Sequence, residues 1–290
     1  MSVDPVPERS VPAPRPRDGR SKGAVGLPVR PAPESTFFSR YECKYLVDAR
    51  VVPRIREFLR PFTEPDEFAA LCKGYRYPIC SLYLDSPDLK LYLQTVGGEK
   101  DRFKLRVRTY SDDPASPAFF EVKRKLNTIV HKRRAGLDRE KAHRLLSDGR
   151  LDPQGLGTID HRDAEYFQNH VAFVEARPVV RVKYVREAYQ GLDNEPVRIT
   201  LDTDLMHAVT FDHDLDHERG RWVATPLDGV ILEIKFTERY PWWVQELVRS
   251  FGLHQRAVPK YVLSVDHMMM DGRESAFALA GVTLPPIRRA

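Results

Sequence analysis

Two strand-like stretches carry enough charge to do chemistry. In FKLRVRTY, Lys104, Arg106 and Arg108 alternate with Phe103, Leu105 and Val107; in ILEIKF, Glu233 and Lys235 alternate with large apolar residues. A strand sends residues i and i+2 to the same face, so each stretch has one charged and one apolar side. The same design recurs in Arg40, Glu42 and Lys44, in Glu121, Lys123 and Lys125, in Arg181 and Lys183, and in Arg198, Thr200 and Asp202. Guanidinium forks and ammonium groups at low dielectric suit phosphoryl oxygens. Carboxylates among them, Glu42, Glu121 and Glu233, suit a divalent cation bridging those oxygens. Rows of like charge on neighbouring strands repel unless something compensates, and a phosphate-rich ligand would. Two other readings share the pattern: the wet face of a half-buried sheet, and a nucleic-acid surface on an open sheet.

The rest of the chain narrows the field. It has 290 residues, 42% hydrophobic, and a formal charge of +5, which permits a polyanionic partner without requiring one. Cys43, Cys72 and Cys80 form no CxxC and suit a reducing cytoplasm. No apolar run reaches the roughly 18 residues of a membrane span, and no signal-peptide core is present, so a cytoplasmic protein is expected. No GxGxxG or GxxxxGK[ST] loop occurs. His207, His213 and His217 lie in and near an acidic loop rather than in a zinc-ligand pattern.

The elements that must hold the charged rows follow from periodicity. Residues 1–36 are Pro-rich and lack aromatics, which predicts a disordered tail; residues 37–271 form the domain, and 272–290 a C-terminal tail. A helix is expected after Asp48, strands near 78–85, 101–110, 118–126 and 128–136, a helical stretch over 138–174, then strands near 179–189, 197–205 and 230–236. PWWVQELVRSFGL reads as a helix, with Pro at its start and Gly252 near its end, and YVLSVDHMM as a strand. Paired strands with few helices predict an antiparallel α+β domain or barrel.

RYECKYLV resembles the opening ExKYL motif of the VTC domain, the polyphosphate polymerase domain of the triphosphate tunnel (CYTH-like) superfamily. The resemblance continues in order through SLYLDS, FKLRVRTY, FFEVKRK, VRVKYVREAY, RITLD, VILEIKF and VPKYVLSVD. It implies an antiparallel β-barrel tunnel with flanking helices, lined by cations. It also implies transfer of the terminal phosphate of ATP to a growing polyphosphate chain with Mn²⁺ or Mg²⁺, and no nucleic-acid partner. Lys44, Arg106, Arg108, Lys123, Arg181 and Glu233 take the catalytic positions. Lys132, Tyr184, Arg198, Lys235 and Lys260 take substrate-binding ones, and Glu233, helped by Glu121, holds the metal. Arg40 stands where related triphosphatases and cyclases carry a first glutamate, which weakens those readings; Pro259 replaces a frequent Ser before the closing lysine. An inorganic triphosphatase and a binding protein without turnover remain the alternatives. The resemblance further implies a stand-alone bacterial-type protein.

Overall fold

The computed structural model describes residues 40–270, apart from 128, 193–196 and 238–239. Both predicted tails lie outside the described residues. Chain order is β1 (Arg40–Val47), α1 (Val52–Leu59), β2 (Thr63–Pro65), α2 (Glu67–Ala70), β3 (Arg76–Asp85), α3 (Lys90–Val96), β4 (Asp101–Thr109), β5 (Ala118–Leu126) and β6 (Ile129–Leu137). There follow α4 (Arg139–Asp148), α5 (Thr158–Phe173), β7 (Arg177–Gly191), β8 (Arg198–Val209), β9 (Val223–Ala224), β10 (Val230–Thr237), α6 (Trp242–Ser250) and α7 (Lys260–Met270). No helix among the described residues is long and apolar enough to cross a membrane.

Among the described residues ten strands form one sheet with the path β1-β10-β8-β7-β3-β4-β5-β6, while β2 pairs with β7 and β9 with β8. Every pairing is antiparallel. Among the described residues the path has two ends, so the expected closed barrel, and with it the tunnel, is not formed there: β1 and β6 are edges. The sheet nevertheless curls. In a flat sheet β1 and β5 would lie about 29 Å apart, yet Glu42 on β1 and Lys123 on β5 are 3.1 Å apart. Long side chains make this contact across the inner face, since β5 is already paired on both edges, with β4 and β6. Register shifts in β3–β7 at Tyr83/Leu84 and in β7–β8 at Lys183/Val185 add local twist and help the sheet bend.

The outer face is covered by helices whose apolar residues recur at helical spacing. Val52, Ile55 and Leu59 of α1 and Trp243, Val244 and Leu247 of α6 pack on Tyr45, Ile199, Leu201, Leu232 and Ile234. The α4 and α5 helices, through Leu145, Ala164 and Phe167, cover Leu105, Phe120 and Val122. Pro241 caps α6, and Gly252, at φ 56°, lies just beyond it in the left-handed conformation that glycine adopts most readily.

The segment expected as a final strand is a helix. Tyr261, Val262, Val265, Met268 and Met269 are its buried face, an i, i+1, i+4, i+7, i+8 pattern that tertiary packing selects over the β propensity of Tyr and Val. Pro259 sits just ahead of it and its carbonyl accepts from Leu263 N, so the missing N–H falls where a helix start leaves donors unpaired anyway. This helix packs on Ile79, Tyr83, Val180, Val182 and Tyr184, filling one end of the inner face. Asp85, fully buried, anchors it: its carboxylate accepts from the backbone N–H groups of Ser86, Leu91 and Tyr92 and, at 2.6 Å, from Tyr261 Oη. Tyr261→Phe removes one bond to a buried carboxylate and is expected to cost about 1.5–3 kcal/mol. The check is a lower urea midpoint at unchanged m-value.

Candidate functional site

The register aligns the charged rows across the curled sheet. On one wall, Lys104 of β4 stands opposite Lys123 of β5, which stands opposite Lys132 of β6. One rung along, Arg106, Glu121 and Arg134 line up in the same way. On the other wall, Glu42 of β1 is opposite Lys235 of β10, and Lys44 is opposite Glu233. Glu233 in turn faces Thr200 of β8, with Lys235 facing Arg198.

Three carboxylate-centred clusters organise these cations. Glu121, completely buried, lies 2.6 Å from the Arg106 guanidinium, 2.6 Å from Lys132 Nζ and 3.5 Å from Arg134 Nε. Burial would raise its pKa, but Arg106, Lys132, Arg108 and Arg134 outweigh burial and hold it well below the carboxylate range. In the second cluster Lys44 bridges Glu42 at 2.6 Å and Glu233 at 3.5 Å. Lys235 lies 2.6 Å from Glu233, and Lys123 crosses from the opposite wall to Glu42. Burial and the Glu233 charge push Glu42 up, yet Lys123, Lys44 and Lys235 bring it down to about 2. In the third, Asp202 accepts two bonds from Arg186 at 2.6 and 2.8 Å and lies 2.7 Å from Lys260 Nζ. Tyr184 joins this cluster: its ring lies 4.6 Å from Lys260 Nζ, and its hydroxyl accepts from Arg108 at 3.4 Å.

Lys44, Arg106, Arg108, Lys123, Lys132, Tyr184, Lys235, Lys260, Glu121 and Glu233 thus share the inner face. Arg198 stands at its rim, donating to Asp66 at 2.6 Å and to Tyr77 Oη at 3.3 Å. Arg181 is elsewhere. It pairs in register with Leu82, which pairs with Val107, so it points to the outer face. There, 3% exposed, it donates to the carbonyls of Asp216 and Arg219 and pins the 211–222 loop. A Cβ at Gly220 would collide with its guanidinium, so only glycine lets the loop backbone approach so closely. Arg186 occupies the inner position instead. Arg181 and Tyr184 are an odd number of residues apart, so a regular strand cannot put both on one face. That parity could have signalled Arg186, two residues from Tyr184. Arg134 was legible in the same way, two residues from Lys132.

Cations outnumber carboxylates on this face, and two kinds of side chain register the excess. Burial pushes the Lys104 ammonium down, Tyr83 opposes this, and Lys123, Lys44 and Arg106 carry it to about 8. Burial alone would push the Tyr83 phenol up, but Arg106 and Arg108 bring it down to about 8. Tyr110 behaves likewise through Arg108 and Arg134. The Tyr83 shift, downward against its own burial, is the one that marks the positive charge of Arg106 and Arg108; for Lys104 burial is the first cause and the neighbouring cations add to it.

Among the described residues no group of three or more His, Cys, Asp or Glu side chains converges as a metal site. The residues that fit a divalent ion best are Glu42 and Glu233, which share Lys44 and Lys235 as partners. Two hard carboxylates are the protein complement a Mg²⁺-type ion uses when phosphates and water supply its other ligands. Glu121 is engaged by three cations on the opposite wall.

These features define a class: a curled antiparallel sheet that turns ion-paired rows of Lys and Arg inward. The family model described as the VTC domain matches residues 39–269, and the chain belongs to that family. It is 23% identical over 288 residues to vacuolar transporter chaperone complex subunit 4 of Trypanosoma cruzi, covering 84% of this chain and 34% of that protein. It is 26% identical over 211 residues to subunit 2 of the same complex from Schizosaccharomyces pombe, covering 58% of this chain and 28% of that protein. The chain thus spans about a third of the length of such relatives. Among solved structures, a candidate adenylate cyclase from Bacillus halodurans overlaps with TM-score 0.42 at 14% identity, over 76% of this chain and 95% of that one.

Tyr83 and Tyr110 are expected to give a native phenolate absorbance step near pH 8. Both pKa values lie below that of an unfolded tyrosine, so the stabilisation is complete above the unfolded value and is lost as pH falls through about 8. Arg106→Met should move the Tyr83 part of the step upward; an unmoved step would remove the assigned cause.

Proposed function

We propose that the inner face binds a triphosphate unit and transfers its terminal phosphoryl group. The observation that carries this is the convergence of Lys104, Arg106, Lys123, Lys132 and Arg134 from one wall with Lys44 and Lys235 from the other on a single inner face, bridged by the Lys123–Glu42 contact. Phosphoryl transfer is governed by alignment and charge neutralisation rather than covalent assistance, and this face is built for both. Arg106, held by Glu121, and Arg108, held by Ser81 and Tyr184, present guanidinium groups with fixed geometry. Lys123, Lys132 and Arg186 extend the contact, and Lys44, Lys235 and Lys260 orient the far end. Glu42 and Glu233 would hold a divalent ion, Mn²⁺ or Mg²⁺, which when bound supplies charge neutralisation at the phosphate oxygens. Arg181 has no part in the clamp, because it is buried against the outer loop.

The acceptor follows from what titrates. Glu42, Glu121 and Glu233 are all held low, so none is available as a base near neutral pH. The end of a polyphosphate chain is already ionised and needs none, which favours ATP as donor and polyphosphate as acceptor. Hydrolysis is the second reading, favoured by the open seam between β1 and β6, which admits water to the same phosphoryl group.

Incubation with ATP and Mn²⁺, measuring polyphosphate and free phosphate together, separates the outcomes. Long polyphosphate is the expected product. Free phosphate alone establishes the triphosphatase, and binding of tripolyphosphate with neither product establishes a module without turnover. Glu233→Gln is expected to lower transfer by about two orders of magnitude in protein that is still folded at the assay temperature, with a lower thermal midpoint because Lys44 and Lys235 lose their shared carboxylate. Near-normal activity would sink the metal assignment.

A further inference from the structure

Lys104 is a half-buried cation on the inner face with no carboxylate partner among the described residues. Lys44, Lys123, Lys132, Lys235 and Lys260 each lie within ion-pair distance of a carboxylate. Lys104 has no such partner among the described residues, although it is half-buried. Its register partner is Lys123, and the groups facing it are Lys123 of β5, Lys44 of β1, Arg106 of its own strand and the Tyr83 hydroxyl of β3. It also occupies a particular place. Along β4 it stands about 7 Å from Arg106, further than a single phosphate group spans. In the register it stands between the clusters: two residues from Arg106, which pairs with Glu121, and opposite Lys123, which reaches Glu42 of the other cluster at 3.1 Å. A linear polyanion that reaches from one cluster to the other passes Lys104; an anion held within one cluster does not.

We propose that Lys104 determines ligand length on this face, binding the phosphate that joins the two carboxylate-centred clusters and so selecting triphosphate and longer chains over orthophosphate and pyrophosphate. The proposal rests on the reading of the inner face as an oligophosphate site. A physical consequence follows from its surroundings. A bound phosphate raises the pKa of an ammonium that cationic neighbours and burial hold near 8, so long ligands bind with proton uptake around that pH and lose affinity above it. Orthophosphate and pyrophosphate bind without this proton.

The test is calorimetric titration of the full chain with orthophosphate, pyrophosphate, tripolyphosphate and longer polyphosphate, in two buffers of different ionisation enthalpy near pH 8. Wild type should take up a proton with tripolyphosphate and longer chains. Lys104→Met should lose tenfold or more in affinity for those chains, about the worth of one charge-assisted bond, and less than twofold for the short ligands. Lys104→Arg, which keeps a charge that does not titrate, should restore length preference while reducing proton uptake to the share taken by the Tyr83 phenol. Equal losses at every length in Lys104→Met, or uptake in Lys104→Arg as large as in wild type, would overturn the inference and leave the functional reading standing. Wild-type protein that binds no oligophosphate would overturn both.

Discussion

The repulsion between like charges placed directly opposite one another is the constraint around which this sheet is built. Lys104, Lys123 and Lys132 form one rung across three strands, an arrangement that by itself drives the strands apart. The next rung, Arg106–Glu121–Arg134, supplies the answer: one buried carboxylate shared by three cations. On the facing wall, Glu42 and Glu233 do the same for Lys44, Lys123 and Lys235. Such buried pairs are weak sources of net stability, because desolvation offsets most of the attraction, but removing one member strands the other charge. Their value lies in fixing where each cation points.

That constraint also explains the shape. The Glu42–Lys123 ion pair joins β1 to β5 across the inner face, while no backbone ladder joins β1 to β6 among the described residues. The opposite end of the inner face is filled by α7, whose Tyr261 stacks on Tyr83 at 4.9 Å and bonds the buried Asp85. The face is therefore apolar and packed at one end and charged over the rest. Lys260, first residue of α7, lies at the junction and ties the helix to Asp202. Helix docking and the third cation cluster are one structural event. Anything that loosens α7 also moves Asp202, Arg186 and Tyr184.

How much of this was legible depended on the range of the interaction. Alternation is local, so the inward rows on β1, β4, β5, β8 and β10 could be read from residue spacing. Arg181 shows where motif matching overrode that rule: parity separated it from Tyr184, and the fold puts it under the 211–222 loop. The YVLSVDHMM segment carries both a β-prone composition and a helical spacing of apolar residues; contact with β7 and β8 decided between them. The absence of closure was not legible at all, since no residue pattern states whether the first and last strands of a path meet.

The sequence by itself determined which side chains face together, because period two in a strand is a property of the backbone. It also determined the surplus of Lys and Arg in those rows. Only the tertiary structure decided which carboxylate neutralises which cation, that the β7 face carrying Tyr184 and Arg186 and not the one carrying Arg181 turns inward, and that Lys104 is left without a carboxylate among the described residues. Those outcomes depend on strand order, register and curl, which bring residues such as Glu42 and Lys123 together across dozens of intervening positions. Coulombic partnership follows distance in space, and that distance exists only once the sheet has folded.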